Sequence, residues 1–250
     1  MKALLDANAY IGEWPFRRLR HSTPKQVLSL MSRADIERAF VSSLTAVFRQ
    51  DTGPCNEQLL DTVANHRDRL LPLATINPSY PDWQSDLPEP GRFAGVRLYP
   101  NYHGYQAEEA MPLVQESASR GLPVFIAVRL QDERQHHPAA KVAAVAAESL
   151  GRLADSCPSA RIVATMARLG EAKELLKHPN IFIDLSGIQG PAGCIESLVD
   201  EFGSHRLLFG TGIPLQYPLP NVIKLDMARI SESDRLAIRW GNAAGLVGGQ

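Results

Sequence analysis

The chain has 250 residues, of which 44% are hydrophobic and 21% are charged, as in an ordinary soluble globular protein that buries a sizeable core. Its formal net charge of -1 argues against a nucleic acid or an acidic membrane surface as the main partner. No apolar run approaches the roughly 20 residues of a membrane-spanning helix, and the first residues lack the apolar region of a signal peptide. The cysteines at 55, 157 and 194 form no CxxC pair, so we expect a reduced, cytoplasmic protein.

Short β-rich segments alternate with longer helical patterns along almost the whole chain. The predicted strands are apolar on both faces, as parallel strands covered by helices are, and comprise residues 3–8, 38–44, 70–76, 95–99, 123–128, 161–165, 181–185 and 207–210. The predicted helices comprise residues 24–32, 56–66, 107–120, 139–155, 170–177, 192–202 and 232–240. Thr23, Pro24 and Gln26 form a capping-box pattern that marks the start of the first helix. Residues 77–92 are rich in proline and predict a long surface loop.

Eight strands with interleaved helices predict an α/β fold, a (β/α)8 TIM barrel that forms a single domain over residues 1–250. A doubly wound open sheet is the alternative. Its phosphate-binding G-x-G-x-x-G pattern does not follow the first strand, and no G-x-x-x-x-G-K-[ST] pattern occurs. The sequence therefore favours the barrel.

Polar side chains are concentrated in the loops that follow the predicted strands, which is where barrel enzymes place their active sites. The candidates for contacts with a substrate are Asn8, Tyr10, Arg17, Asn77, Tyr99, Asn101, Arg134, His137 and Asp184. The loops that enter the strands are short and carry few polar groups. We therefore expect a small-molecule site at the carboxyl ends of the strands, although most of these loop residues are equally compatible with simple solvation.

Two arginines have an unusual position within this pattern. Arg97 lies inside a predicted strand, and Arg129 follows the next one, so each must find a partner or face the mouth of the barrel. Each is as compatible with a structural ion pair as with a functional role. Two guanidiniums on neighbouring strands would form a clamp for a carboxylate, since each binds bidentately.

His103 is the best candidate for a general acid or base, because histidine titrates near neutral pH. A histidine packed in its loop and bonded to the backbone is the alternative. Asp132 would serve as a general base beside Arg129, or belong to a salt-bridged loop with Arg134. His136 and His137 are adjacent and diverge in an extended chain, which argues against a metal ion that they share.

Several segments together resemble the amidohydrolase-related, metal-dependent-hydrolase family of TIM barrels, in the branch that includes lactonases and decarboxylases. LLDANAYIG is similar to the first-strand D-x-H-x-H motif of that family, and LPVFIAV and RIVATMARLG are similar to its fifth and sixth strands. IFIDLSG and LLFGTGIP are similar to the seventh and eighth, and IRWGNAAGLVG to the closing helix. The order of these segments implies an enzyme with the fold of this family.

The resemblance also shows which metal ligands are missing. The positions of the family's ligands fall on Asn8, Tyr10, Ala127, Met166 and Gly212. Alanine, methionine and glycine do not supply the ligands that Zn²⁺ or Mn²⁺ requires. We therefore expect no metal and no other cofactor, with Asn8 and Tyr10 contributing hydrogen bonds at that place.

The resulting hypothesis is a hydrolase-like enzyme of the lactonase and decarboxylase branch that acts without a divalent metal on a small carboxylate- or lactone-type substrate. Arg97 and Arg129 would bind the carboxylate, and His103 would transfer a proton, oriented by Asp132 or Asp184. The alternative is a non-catalytic barrel that binds a ligand or a partner protein. A relocated metal site of His103 with Asp132, His136 or His137 is a third hypothesis. The sequence leaves the oligomeric state open, a homo-oligomer included.

Overall fold

The structure, a computed structural model, describes residues 3–89 and 91–247. Its strands are β1 (Leu4–Ile11), β2 (Ile36–Ser43), β3 (Leu70–Pro72), β4 (Ala74–Thr75), β5 (Val96–Leu98), β6 (Val124–Ala127), β7 (Ile162–Thr165), β8 (Ile181–Asp184) and β9 (Leu207–Leu208). Its α-helices are α1 (Pro24–Arg33), α2 (Gly53–Val63), α3 (Pro100–His103), α4 (Met111–Ser119), α5 (Ala147–Ser156), α6 (Leu169–Leu175), α7 (Cys194–Phe202), α8 (Leu219–Met227), α9 (Glu232–Leu236) and α10 (Asn242–Val247).

The strands form a closed parallel barrel. β1, β2 and β3 pair in that order, and β4 to β9 pair in theirs, with every pairing parallel. Only Leu73 separates β3 from β4, and its N–H donates to the carbonyl of Val41 at 2.9 Å, so the two segments continue one another. The remaining gap is closed where the N–H of Tyr10 donates to the carbonyl of Ile213 at 2.8 Å. The predicted TIM barrel is confirmed.

Two apolar clusters pack against the strands, one outside the barrel and one inside it. The larger lies between the strands and the helices and includes the buried faces of α1, α2, α4, α5, α6 and α7. The smaller fills the amino-terminal half of the barrel with Leu5, Phe40, Phe125, Val163 and Leu208 among its members. These inner side chains are bulky, as barrel interiors require. They leave only the carboxyl ends of the strands for polar groups.

The structure corrects two predictions about helices. The helix predicted for residues 139–155 begins only at Ala147, because Val145 is buried and its N–H donates to the carbonyl of Val128 at 2.9 Å, which keeps this segment extended. Helix α8 was not predicted at all, because Pro218 and Pro220 lie at its start and broke the periodic pattern. Proline is compatible with the first turn of a helix, which has no partners for its N–H groups. None of the helices within residues 3–89 and 91–247 is long and apolar enough to cross a membrane.

A buried carboxylate joins the first strand to the segment after the last. Asp6 Oδ1 accepts hydrogen bonds from the N–H groups of Asn8 at 2.9 Å and Thr211 at 3.0 Å, and Asp6 Oδ2 accepts one from the Thr211 hydroxyl. Burial raises the pKa of Asp6 to about 7 and outweighs these hydrogen bonds, which lower it. Asp6 therefore helps to close the barrel in a partly protonated state near neutral pH.

This raised pKa predicts a specific dependence of stability on pH. An unfolded aspartate has a pKa of about 3.9, so the folded state holds the proton more tightly, and the free energy of unfolding falls as the pH rises from about 4 to about 7. Asp6→Asn keeps the oxygen acceptor and removes the titration, so we expect a smaller fall, measured by urea unfolding across this pH range. Asp68→Asn, at an exposed position, is the matched control and keeps the wild-type slope. An unchanged slope in Asp6→Asn would contradict the raised pKa.

Candidate active site

Arg97, on β5, lies at the centre of the barrel with its whole side chain buried. Its Nε donates to Ser42 Oγ at 3.0 Å, its Nη1 to Thr165 Oγ1 at 2.8 Å and its Nη2 to Asn8 Oδ1 at 3.2 Å. Its Cζ lies 5.4 Å from the centre of the Tyr10 ring, a cation–π contact. Arg97 forms no ion pair with a carboxylate of residues 3–89 or 91–247. Neutral groups on three other strands therefore solvate this charge.

A chain of hydrogen bonds connects Arg97 to Asp184 at the end of β8. Asn8 Nδ2 donates to Ser186 Oγ at 3.2 Å, and Ser186 Oγ donates to Asp184 Oδ2 at 2.5 Å. The N–H of Met166 donates to Asp184 Oδ1 at 2.7 Å. We call Arg97, Asn8, Ser186 and Asp184 the buried polar path. Burial raises the pKa of Asp184, although the hydrogen bonds and the charge of Arg97 oppose the shift.

Gly210 makes room for this carboxylate. A Cβ at position 210 would lie 2.3 Å from Asp184 Oδ2, a distance that no side chain could tolerate. The glycine of the LLFGTGIP segment is therefore required by the packing of Asp184 against the last strand. A substitution there would displace the acidic end of the buried polar path.

Ser186 also lines a cavity of about 930 Å³ between the loops that follow β8 and β9. The polar part of the lining comprises Arg17, Asp132, Gln135, Ser186, Gln189, Glu196, Gln216, Asn221, Lys224 and Arg229. Its apolar part includes Ile188, Pro191, Leu215, Tyr217 and Met227. This mixture of apolar wall and a few polar groups is typical of sites for small organic molecules. We refer to it as the main cavity.

Lys224, on α8, fixes the loop that forms one wall of the main cavity. Its Nζ donates to the carbonyls of Leu185 at 2.7 Å and Ile188 at 2.5 Å and to Asn221 Oδ1 at 2.8 Å. Burial lowers the pKa of Lys224 to about 8. The ammonium group is thus largely charged at neutral pH and holds the turn that carries Ser186.

Arg17 is the predicted contact residue that lines the main cavity, and only part of its guanidinium is used in a hydrogen bond to the described residues. Its Nη2 donates to the carbonyl of Leu215 at 2.8 Å, and its side chain is exposed. The rest of the guanidinium makes no hydrogen bond to residues 3–89 or 91–247. Arg17 can therefore bind an anionic group of a ligand in this cavity.

Arg129 is already neutralised by two carboxylates. Its Nε donates to Glu133 Oε1 at 3.0 Å, and its two Nη atoms donate to Glu171 at 2.5 and 2.6 Å. Nη1 also donates to the carbonyl of Met166 at 2.8 Å. Arg97 and Arg129 share no partner among residues 3–89 and 91–247, and Arg129 is already occupied by these carboxylates, so the structure does not present the two as the carboxylate clamp expected from the sequence. Arg129 instead has the structural ion pairs that were the alternative.

Asp132 lines the main cavity but is held by Arg134. Its Oδ1 accepts from the backbone N–H and the Nε of Arg134, each at 2.9 Å, and its Oδ2 accepts from Nη2 at 2.7 Å. The side-chain hydrogen bonds of Arg134 hold the pKa of Asp132 well below its usual range. Asp132 is therefore a fixed negative charge rather than a base that titrates near neutral pH.

His103, at the end of α3, is buried away from the main cavity. Its Nε2 lies 3.1 Å from the carbonyl of Ala46 and donates to it, while its Nδ1 has no partner among residues 3–89 and 91–247. Its ring packs between Tyr99 and Tyr105, with centres 5.9 and 6.5 Å away. Burial lowers the pKa of His103, so the neutral imidazole dominates at neutral pH. The structure thus places His103 in the packed position that was the alternative to a catalytic role.

The other predicted contact residues hold loops together. Asn77 Nδ2 donates to Gln50 Oε1 at 2.8 Å, and Asn101 Nδ2 donates to the carbonyl of Ala143. Tyr99 is fully buried in the cluster beneath the mouth of the barrel. These contacts leave the three side chains away from the main cavity.

An aromatic cluster covers the centre of the barrel mouth. Trp14 and Phe16 have ring centres 5.8 Å apart, and Phe48 lies 5.2 Å from Trp14 and 5.6 Å from Tyr102. His137, another predicted contact residue, stacks on Phe16 at 5.1 Å. None of these four aromatic residues lines the main cavity, which lies toward β8 and β9.

The positions that correspond to the family's metal ligands converge but do not fit a metal. Met166 Sδ lies 3.0 Å from Ser186 Oγ, and the N–H of Gly212 donates to the carbonyl of Asn8 at 2.7 Å. Tyr10 and Ala127 pack in one apolar cluster. Within residues 3–89 and 91–247, no group of three or more His, Cys, Asp or Glu side chains could hold a metal ion. The donor set offers amide, thioether and phenol groups, of which none is a preferred ligand of Zn²⁺ or Mn²⁺.

A family model described as Amidohydrolase matches residues 5–249, and the chain therefore belongs to the amidohydrolase family. This confirms the resemblance inferred from the strand motifs, and it agrees with the prediction that the chain is an enzyme. No curated protein sequence matches the chain significantly.

Solved structures of decarboxylases share the fold. The 5-carboxyvanillate decarboxylase of Sphingomonas paucimobilis is 15% identical, with a TM-score of 0.75 and 98% of each chain covered. A dihydroxybenzoic acid decarboxylase from Polaromonas sp. JS666, solved with manganese and 2-nitroresorcinol, is 16% identical, with a TM-score of 0.76 and coverage of 99% of this chain and 97% of that one. The 2,6-dihydroxybenzoate decarboxylase from Rhizobium is 18% identical, with a TM-score of 0.72 and 98% of each chain covered.

Sequence reasoning missed several residues of the site. Ser42 and Thr165 end their strands and bind Arg97, Ser186 links Asn8 to Asp184, and Lys224 lies on the helix that was not predicted. The polar ends of FVSS and IVAT were available signals, because a polar residue at the carboxyl end of a buried barrel strand faces the site or another strand. Lys224 carried no comparable signal.

The burial of Arg97 predicts a large loss of stability when it is replaced. Arg97→Met leaves the buried oxygens of Ser42, Thr165 and Asn8 without their donor, at roughly 1–3 kcal/mol for each unsatisfied group. We therefore expect the free energy of unfolding to fall by about 3 kcal/mol or more, measured by urea denaturation. Arg33→Met, at an exposed position, is the control and changes it by about 0.5 kcal/mol or less. A loss in Arg97→Met as small as in the control would show that these bonds do not form.

Proposed function

We propose that this chain is a single-domain enzyme of the amidohydrolase family that decarboxylates a small carboxylated aromatic compound without a divalent metal. The main observation in favour is the main cavity, whose lining includes both Ser186, one member of the buried polar path, and the guanidinium of Arg17. The similar folds belong to decarboxylases of aromatic acids, one of them solved with 2,6-dihydroxybenzoate.

The main cavity suits a flat, partly anionic ligand. Its volume of about 930 Å³ is in the range of sites for small organic molecules. Ile188, Pro191, Leu215 and Tyr217 offer apolar contacts to a ring. Arg17 supplies a guanidinium for a carboxylate or phenolate on that ring, and its bond to Leu215 O fixes its direction.

Asp184 and Ser186 form the proton donor in this proposal. Decarboxylation breaks the bond between the ring carbon and the carboxylate, CO₂ departs, and the electron pair left on the carbon takes up a proton. For this transfer the carboxyl group of Asp184 would be protonated and would donate to Ser186 Oγ, the reverse of the 2.5 Å hydrogen bond in the structure. Ser186 Oγ would then give its own proton to the ring carbon, and Asp184 would take up a new proton from solvent. The raised pKa of Asp184 supports this role, because a buried carboxyl group holds its proton at a higher pH than an exposed one.

Arg97 is a positioning residue in this proposal. It orients the Asn8 amide, whose Nδ2 donates to Ser186 Oγ and helps to hold the hydroxyl in place. Arg129 and Asp132 position the loop that follows β6 through their ion pairs. We assign no proton transfer to His103, because its position lies away from the main cavity.

The absence of a suitable group of ligands within residues 3–89 and 91–247 predicts that a divalent metal has no role. We expect substoichiometric zinc, manganese and iron in protein purified without chelator, measured by elemental analysis, and unchanged turnover after dialysis against EDTA. One tightly bound ion per chain, lost together with turnover on dialysis, would contradict the metal-free mechanism and favour a relocated site.

A turnover experiment tests the proposed reaction. We expect release of CO₂ from at least one member of a panel of hydroxylated and methoxylated benzoates, with lactones as the hydrolytic comparison. Ser186→Ala should reduce kcat by about 100-fold or more, since proton transfer by a positioned side chain contributes roughly that factor. Arg17→Met should raise KM with a smaller effect on kcat.

Ser29→Ala, at an exposed position of α1, is the matched control and keeps wild-type kinetics. Hydrolysis of a lactone without release of CO₂ from any acid would replace the decarboxylase proposal by a hydrolase. Binding of these acids without turnover of any member of the panel would favour the non-catalytic barrel.

A further inference from the structure

A second cavity, of about 790 Å³, lies in the loop between β1 and α1 and plays no part in the proposed function. Three arginines of this loop line it: Arg17, Arg18 and Arg20. Glu13 and the residues at the start of α1 complete the polar lining. Three guanidiniums against one carboxylate give the cavity a net positive charge. We call it the arginine cavity.

Two of these guanidiniums have no partner within the part of the chain that the structure describes. Arg18 and Arg20 make no hydrogen bond, ion pair or ring contact with residues 3–89 and 91–247, whereas Arg129, Arg152 and Arg168 are all paired with carboxylates. Like charges gathered in four consecutive residues repel one another. A partner that neutralises them stabilises the arrangement, and the described residues, 3–89 and 91–247, supply none to Arg18 and Arg20.

Helix α1 increases the positive potential of the arginine cavity. Ser22 and Thr23, which precede α1, and Gln26 in its first turn belong to the lining, and this turn carries Lys25 and no acidic residue. The amino-terminal end of a helix carries a partial positive charge, which an acidic side chain often balances. The helix end and the arginines therefore both contribute positive electrostatic potential to the arginine cavity.

We infer that the arginine cavity is a binding site for a small ligand that carries a multiply charged oxyanion, such as a phosphate or a polycarboxylate. Guanidiniums bind such oxyanions through two parallel hydrogen bonds, and Arg18 and Arg20 have their donors available. The volume of about 790 Å³ exceeds that of a single phosphate and leaves room for further groups beside the anion. Arg17 lines both cavities, so this ligand lies next to the main cavity without occupying it.

Isothermal titration calorimetry with three probes at constant ionic strength tests this inference. The probes are inorganic phosphate, pyrophosphate and citrate. We expect at least one to bind with a stoichiometry of one, and the double variant Arg18→Gln/Arg20→Gln to weaken this binding by about tenfold per lost arginine. Arg33→Gln removes an unpaired, exposed arginine from the other end of α1 and should leave the affinity unchanged.

The pattern of binding distinguishes a phosphorylated ligand from a polycarboxylate. Binding of phosphate or pyrophosphate but not citrate supports a phosphorylated ligand, and binding of citrate alone supports a polycarboxylate. Absence of binding by all three probes, or equal affinities in the wild type and the double variant, overturns the inference. Ser186→Ala should bind the same probe as the wild type does, so a failure of the proposed decarboxylation does not affect this result.

Discussion

The structure of the site depends on the burial of one guanidinium in the barrel. A fully buried charge without a partner is costly, and Arg97 is accommodated because β1, β2 and β7 each present a neutral oxygen to it. The aromatic rings of Tyr10 and Phe125 contribute further stabilisation at 5.4 and 5.5 Å. Arg97 thereby ties four strands together at the level where the apolar interior of the barrel ends.

The same charge orients Asn8, one of the positions that correspond to the family's metal ligands. In a metal site a divalent cation would be the dominant charge at the carboxyl ends of the strands, with negative and imidazole ligands around it. Here Asn8 turns its carbonyl oxygen to Arg97 and its amide group to Ser186, so it connects a cation to a carboxylate. Met166 contacts Ser186 through its thioether, and Gly212 has no side chain. Asn8 and Ser186 are therefore organised around a fixed guanidinium.

The sequence predicted the barrel because its signals are local and repeated. Each alternation of an apolar strand with a helix is a separate signal for the same architecture. One irregular residue, such as Leu73, or a helix that starts later than predicted, at Ala147, therefore does not change the predicted fold. The site was less predictable, because its contacts join residues that are far apart in the chain. Arg97, Asn8 and Asp184 were recognised as candidates, but Ser186, which links the last two, could not be inferred from spacing. The pairing of Arg129 with Glu171 is likewise set by the packing of α6.

The arginines of this chain show how burial decides the role of a charge. Arg97 is solvated by fixed neutral groups and cannot be released without loss of stability, so it can orient neighbours but not follow a ligand. Arg129 is neutralised by two carboxylates and contributes rigidity to the loop after β6. Arg17 has donors to spare at the wall between two cavities. In the proposed reaction, recognition of an anionic ligand would therefore depend on the loop after β1, whereas proton transfer would depend on Ser186 and Asp184 at the end of β8.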